Sequence, residues 1–154
     1  MRRLYPERRL FLLCSLCLCL ARPVLGGAFR REQERFPRVR AARAQAQPRL
    51  AALFRAAGLT YPAREIFLRA FKLEGELELW ARHDAAAPFT LVKTYAICAS
   101  SGTIGPKRRQ GDLQVPEGFY SVSGFNPWSR FHLSLRVDYP NGADRILGGA
   151  GDLG

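Results

Sequence analysis

Outside its first twenty residues the chain holds one cysteine, Cys98, and two histidines, His83 and His132. Nucleophile-and-base chemistry therefore has a small cast. A reactive thiolate needs a helix start or a neighbouring imidazolium to lower its pKa. Cys98 instead closes an apolar run, Leu91 to Ile97, with Lys93 as its nearest cation in sequence. That setting predicts a buried thiol acting as a small hydrophobe, with a Cys98–His132 dyad as the rival reading. His83 stands beside Asp84 in a turn and reads as solvated. His132 falls in a strand-like run, Phe131 to Val137, where alternation groups it with Ser134 and Arg136 opposite Phe131 and Leu133. If those two are core, His132 and Ser134 face solvent or a groove. No Cys/His spacing suits a metal, and no glycine-rich phosphate loop or nucleophile elbow occurs, so no metal or cofactor is predicted.

A second group of candidates lies in one long polar loop, residues 99–117. Lys107, Gln110, Gly111, Asp112, Pro116, Glu117 and Gly118 occur together just before a strand-like run. Turn chemistry accounts for them economically: Gly111-Asp112 for a reversal, Pro116 to fix strand entry, Gly118 for close backbone packing. The alternative is a polar rim in which Lys107, Asp112 and Glu117 receive a charged substrate.

The elements that must hold these residues follow from periodicity. Residues 29–47 are rich in Arg, Ala and Gln and read as a solvated helix or a spacer. Pro48 then opens a helix with Leu50, Leu53, Phe54 and Ala57 on one face, and Gly58 suits the position just past its end. From Ala63 the period falls to two. Ile66, Leu68 and Ala70 alternate with Phe67, Arg69 and Phe71. After the turn Lys72-Leu73-Glu74-Gly75, Leu77, Leu79 and Ala81 alternate with Glu76, Glu78 and Trp80. Further strands are predicted at Phe89 to Ile97, Gly118 to Ser123 and Phe131 to Val137. Residues 138–154 show no amphipathic period. The fold class is α+β: an N-terminal helix followed by a mostly antiparallel β domain.

The formal charge of +11 resembles a nucleic-acid signature until it is located. Residues 1–60 carry thirteen arginines against three acids, while residues 61–154 carry eleven basic residues against ten acids. The folded part is close to neutral, which argues against a nucleic-acid partner. Arg2, Arg3, Arg8 and Arg9, the apolar run Leu10 to Leu20 and the small residues Gly26, Gly27 and Ala28 read as a secretory signal peptide cleaved near Ala28. The apolar run is shorter than the roughly 20 residues that span a bilayer, so membrane contact is expected only through the export signal. Arg8-Arg9 leaves a twin-arginine route open. Three of the four cysteines lie in this leader, so no internal disulfide is expected in the exported chain.

Several ordered segments resemble one family. They are Ile66-Phe67-Leu68-Arg69-Ala70-Phe71-Lys72, Leu77-Glu78-Leu79-Trp80, Leu91 to Cys98, Ser101 to Lys107, Gln110-Gly111-Asp112 and Pro116-Glu117-Gly118-Phe119-Tyr120. Asn126-Pro127, Ser129 to Ser134 and Tyr139-Pro140-Asn141 continue the series. Together they resemble the L,D-transpeptidase (YkuD-type) domain, in its YafK-like branch of murein enzymes, across roughly residues 48–147. The resemblance implies an exported protein, in the periplasm or cell envelope, acting on peptidoglycan stem peptides at diaminopimelate. It further implies a cysteine thioester, a histidine base and, in some members, a wall-linked lipoprotein as partner. It adds Asn141 to the candidate rim of Lys107, Asp112, Glu117, His132 and Ser134.

The family's His-Gly and Ser-x-Gly-Cys elements do not occur in these 154 residues, so no catalytic residue is assigned in this chain. The expected organisation is a signal peptide at 1–28, a basic helical arm at 29–60 and a partial L,D-transpeptidase-like β-sandwich at 61–154, truncated before the catalytic motif. A β-fold lacking its last strands leaves ladder edges and core exposed, and poor folding or aggregation is expected.

Overall fold

The computed structural model describes residues 25–148. Residues 1–24 of the signal peptide expected at 1–28, and the glycine-rich stretch 149–154, lie outside the described residues. Three helices and five strands follow in the order α1 (Leu25–Gln33), α2 (Pro37–Ala56), β1 (Glu65–Phe71), β2 (Glu76–Arg82), β3 (Thr90–Ala96), β4 (Val122–Asn126), β5 (Ser134–Val137) and α3 (Gly142–Gly148). Helices precede antiparallel sheets, so the chain is α+β as its periodicity implies.

The helical region is longer than expected. Pro37 takes the first-turn position, where its missing N–H costs nothing, and α2 runs through Pro48 instead of starting there. The C-terminus follows its sequence signal closely. Gly58 adopts φ +73°, Gly58 N–H donates to the Arg55 carbonyl at 3.0 Å and Leu59 N–H to that of Phe54 at 2.8 Å. That paired closure satisfies two of the carbonyls the helix end would otherwise leave open. Residues 29–47 are helical in two pieces, broken at 34–36. Arg40 Nη1 donates there to the carbonyls of Glu34 at 2.7 Å and Arg35 at 3.0 Å.

The period-two segment forms a three-stranded sheet, β1-β2-β3, entirely antiparallel. β1 and β2 pair without a slip from Glu65↔Arg82 to Phe71↔Glu76, around a turn where Gly75 holds φ +67°. β2 and β3 pair with a bulge between Leu79 and Trp80. One face carries Ile66, Leu68, Leu77, Leu79 and Ala81, and α2 meets the sheet at β3. Phe54 stacks edge-on against Tyr61 at 5.4 Å. Phe54 and Ala81 are the buried apolar residues among those described, while seventeen large apolar side chains stay exposed. The opposite face is a charged aromatic layer. Arg69 lies over Phe71 at 4.8 Å and Trp80 at 5.5 Å, and Arg82 lies over Phe89 at 4.4 Å.

β4 and β5 form a separate two-stranded sheet. The strand expected at Gly118 to Ser123 is shifted to Val122–Asn126, and that expected at Phe131 to Val137 is shortened to Ser134–Val137. The cause is local. Phe131 N–H donates to Ser129 Oγ at 3.1 Å and His132 N–H to the Ser129 carbonyl at 3.1 Å, closing a turn where a strand would need free ladder groups. Helix α3 appears where no period was visible. Asn141 and Asp144 cap it reciprocally, each accepting the other's backbone N–H at 3.0 Å.

Because Phe54 is the large buried side chain of α2 and stacks on Tyr61, Phe54→Ala should cost about 3 kcal/mol or more. Thermal unfolding followed by circular dichroism should show a markedly lower midpoint. Half-buried Leu53→Ala should shift it less.

Candidate functional site

The long loop is held by two charged knots. Asp112 Oδ1 accepts from Lys107 Nζ at 2.8 Å and from Gln114 N–H at 3.0 Å, while Oδ2 accepts from Arg108 and Arg109 N–H at 2.8 and 3.0 Å. The hydrogen bond from Lys107, followed by the three backbone donors, holds the Asp112 carboxyl far below the usual carboxylate range. In the second knot Lys72 Nζ, at the β1–β2 turn, donates to the carbonyls of Gly105 and Val115 at 2.7 and 3.2 Å. It also donates to Glu117 Oε1 at 2.9 Å. Glu117 Oε1 accepts Gly105 N–H as well, at 3.1 Å. Lys72 is the leading cause that lowers the Glu117 pKa. Gly102 must be glycine: it sits at φ +74°, and a Cβ there would lie 2.7 Å from the Leu113 carbonyl.

A third knot joins the loop's exit to α3. Tyr120 Oη donates to Asp144 Oδ1 at 3.1 Å, and Asn141 Nδ2 donates to the Phe119 carbonyl at 3.0 Å. Burial first, then the Asp144 carboxylate, pushes the Tyr120 phenol up to about 12. Tyr139 lies 6.1 Å from Tyr120, ring to ring, and its buried hydroxyl has no hydrogen-bond partner among the described residues. Burial raises the Tyr139 pKa, Lys107 opposes that rise, and Asp144 and Asp112 add to it.

The six candidate rim residues are thus placed unequally. Lys107 and Asp112 bind each other, Glu117 binds Lys72, and Asn141 caps α3. Ser134 lines a different feature, a cavity of about 670 Å³ between the helical arm and the β4–β5 hairpin. Its walls include Phe29, Tyr61 and Phe125, with the Arg43–Glu34 ion pair on one side. Phe29 stacks on Phe125 at 4.8 Å and Phe36 on Trp128 at 5.5 Å, edge-on. This cavity escaped the sequence because the helices that wall it have no continuous apolar stripe.

His132 is not on a strand. It is exposed in the 129–132 turn at φ +79°, so the alternation argument that paired it with Ser134 does not apply. Arg38 of α2 stabilises that turn, donating to the Ser129 and His132 carbonyls at 2.9 and 3.0 Å. Cys98 is exposed, not buried, because β3 ends at Ala96 and the thiol lies beyond the ladder. His83 Nε2 bonds to both Oγ1 and the carbonyl of Thr60 at 2.8 Å. Among the described residues neither histidine is hydrogen-bonded to Cys98, and no group of His, Cys, Asp and Glu could hold a metal ion.

Over 85 residues the chain is 39% identical to "Putative L,D-transpeptidase YafK" of Escherichia coli (strain K12). The chain is a homologue of YafK over that stretch. The same identity holds for the protein of that name in Escherichia coli O157:H7. The stretch makes up 54% of this chain and 34% of YafK, so the chain spans about a third of the length of the curated relatives it matches. No family model matches the chain, and no solved structure does.

Two outcomes follow from this geometry. Asp112→Ala should release the amides of Arg108, Arg109 and Gln114, read as faster hydrogen exchange at those three positions. A carboxylate whose folded pKa is depressed contributes its stability above the unfolded value and loses it as pH falls through the folded value. Protection of the 108–114 segment should therefore persist below the range where ordinary carboxylates protonate, and disappear only in stronger acid. Separately, His132→Gly relieves a left-handed residue and should stabilise the chain by up to about 1 kcal/mol in thermal unfolding.

Proposed function

We propose that this chain is part of an exported murein L,D-transpeptidase-like protein, and that its knotted loop forms a rim for the diaminopimelate end of a peptidoglycan stem peptide. The observation that carries the reading is the 39% identity to YafK, joined to a loop whose charged residues are fixed in place by one another. Lys107, Asp112 and Glu117 stand on a preorganised backbone, which is what recognition of a zwitterionic side chain needs. In the chemistry that the resemblance implies, a cysteine thiolate attacks a peptide carbonyl, and the resulting thioester passes its acyl group to an amine or to water. A wall-linked lipoprotein is one partner that such chemistry serves. The residues here supply the rim and not the nucleophile: Cys98 is exposed and has no imidazole bonded to it, and the sequence has no Ser-x-Gly-Cys. In this reading the chain alone is inactive. Export rests on the basic, then apolar, then small-residue order of the leader.

A second reading, a non-catalytic peptidoglycan-binding module, is favoured by the cavity. Its aromatic walls and its Arg43–Glu34 pair could receive a ligand without any nucleophile.

Incubation of the chain with purified sacculi and with disaccharide tetrapeptide separates these readings. Co-sedimentation with sacculi and an unchanged tetrapeptide by mass spectrometry are expected. Asp112→Ala should weaken binding under the first reading, and Phe125→Ala under the second. Turnover lost in Cys98→Ser would show that the chain carries its own nucleophile. Absence of sacculus binding in the unsubstituted chain would remove the peptidoglycan assignment.

A further inference from the structure

The two edges of the three-stranded sheet are not equivalent. The β3 edge is defended: the β2–β3 ladder is bulged at Leu79/Trp80, Lys93 sits in the strand, and α2 packs against it. A bulge and a lysine are devices that stop an edge from recruiting another strand, and the helix adds contact at the same strand. The β1 edge has none of them. Its seven residues pair with β2 in unbroken register, contain neither proline nor lysine, and are exposed at all five central positions, Ile66 through Ala70. Ile66 is 57% exposed and Phe67 39%.

We propose that β1 is a self-association edge, and that its occupant is the β1 strand of a second copy in antiparallel pairing. The strand is complementary to itself in one register. With Phe67 opposite Phe67 on the two-fold axis, Glu65 faces Arg69 twice and Ile66 faces Leu68 twice. Opposite charges and apolar partners then fall directly across the new ladder, where cross-strand pairs act most strongly. Moving the axis to Leu68 sets Glu65 against Phe71, and moving it to Arg69 sets two guanidinium groups against each other. The Phe67 register also keeps the two faces of the sheet continuous. Phe67 and Arg69 extend the charged aromatic layer, and Ile66 and Leu68 extend the apolar face. Pairing joins two three-stranded sheets into one of six strands and satisfies the outward N–H and C=O groups of β1.

The register makes the test specific. In the full chain with Cys14, Cys17, Cys19 and Cys98 replaced by serine, Phe67→Cys places two thiols directly opposite each other. Leu68→Cys places them diagonally, beyond disulfide reach. Under a thiol–disulfide buffer, Phe67→Cys should give covalent dimer at about tenfold or more the yield of Leu68→Cys. Equal yields, or none from Phe67→Cys, overturn the proposal. A measurement without substitution covers the case in which the variants misfold. Sedimentation velocity of the unsubstituted chain should show a monomer–dimer equilibrium, and exchange at the outward β1 amides should slow as concentration rises. A monomer at all concentrations, larger aggregates without a dimer, or concentration-independent exchange in β1 each overturn it.

Discussion

The ammonium of Lys72 is the joint between the first sheet and the long loop that follows it. It leaves the tight β1–β2 turn and reaches two carbonyls and one carboxylate in residues 105–117. These three bonds tie the β1–β2 turn of the sheet directly to both ends of the loop. A lysine serves here because a single point charge with three donors can satisfy three acceptors that converge from different directions. Its position is in turn set by the hairpin register, which the unbroken seven-pair β1–β2 ladder fixes. Secondary structure, turn geometry and loop placement are thus one chain of dependence.

A second basic side chain plays the matching part for the helical arm. Arg38 bridges the carbonyls of Ser129 and His132, and the aromatic pairs Phe29–Phe125 and Phe36–Trp128 add apolar contact along the same seam. The arginine-rich composition of the arm has a structural explanation in these contacts. Arg38 and Arg40 cap carbonyls, and Arg30 and Arg43 meet Glu34. Glu34 has a lowered pKa for the same reason, chiefly through its hydrogen bond with Arg30.

How much of this was legible in the sequence depends on the range of the cause. The alternation of Ile66, Leu68 and Ala70 with Phe67, Arg69 and Phe71 is a local signal, and the sheet faces follow it residue by residue. Gly58 and Gly75 marked a helix end and a turn because only their own dihedrals were involved. Pro48 misled because proline both starts and tolerates helices, and Pro37 was the earlier start. His132 misled because alternation presumes a ladder, whereas a turn closed locally by Ser129, and buttressed by Arg38 from ninety-four residues away, displaces it. Lys72, Tyr120, Tyr139 and Asp144 were not singled out for the same reason. Their partners lie between twenty-four and forty-five residues distant, or act through fields that spacing does not reveal. Asp112 is the intermediate case. Gly111-Asp112 was readable as a reversal, and the carboxylate does serve as the acceptor for its own loop, which is the turn account.

The contrast between loop and sheet carries the larger physical point. The loop is over-determined: Asp112 accepts four hydrogen bonds, and Lys72, Glu117 and Gln114 each make two or more. The sheet is under-covered, with an apolar face and a regular, undefended edge at β1. Polar networks of the first kind hold backbone geometry even where little apolar surface is buried, because each bond shortens the list of conformations open to the others. Apolar faces of the second kind gain free energy only when something covers them. A fold with this division keeps a rigid polar loop while its scaffold remains dependent on further contact. Such contact can come from a second β1 strand or from more of a domain like the one that YafK extends well beyond the matched third. The outward side of β1 offers one set of backbone donors and acceptors, and any strand that pairs there uses them. Self-association through β1 is therefore strongest wherever that edge is otherwise unpaired.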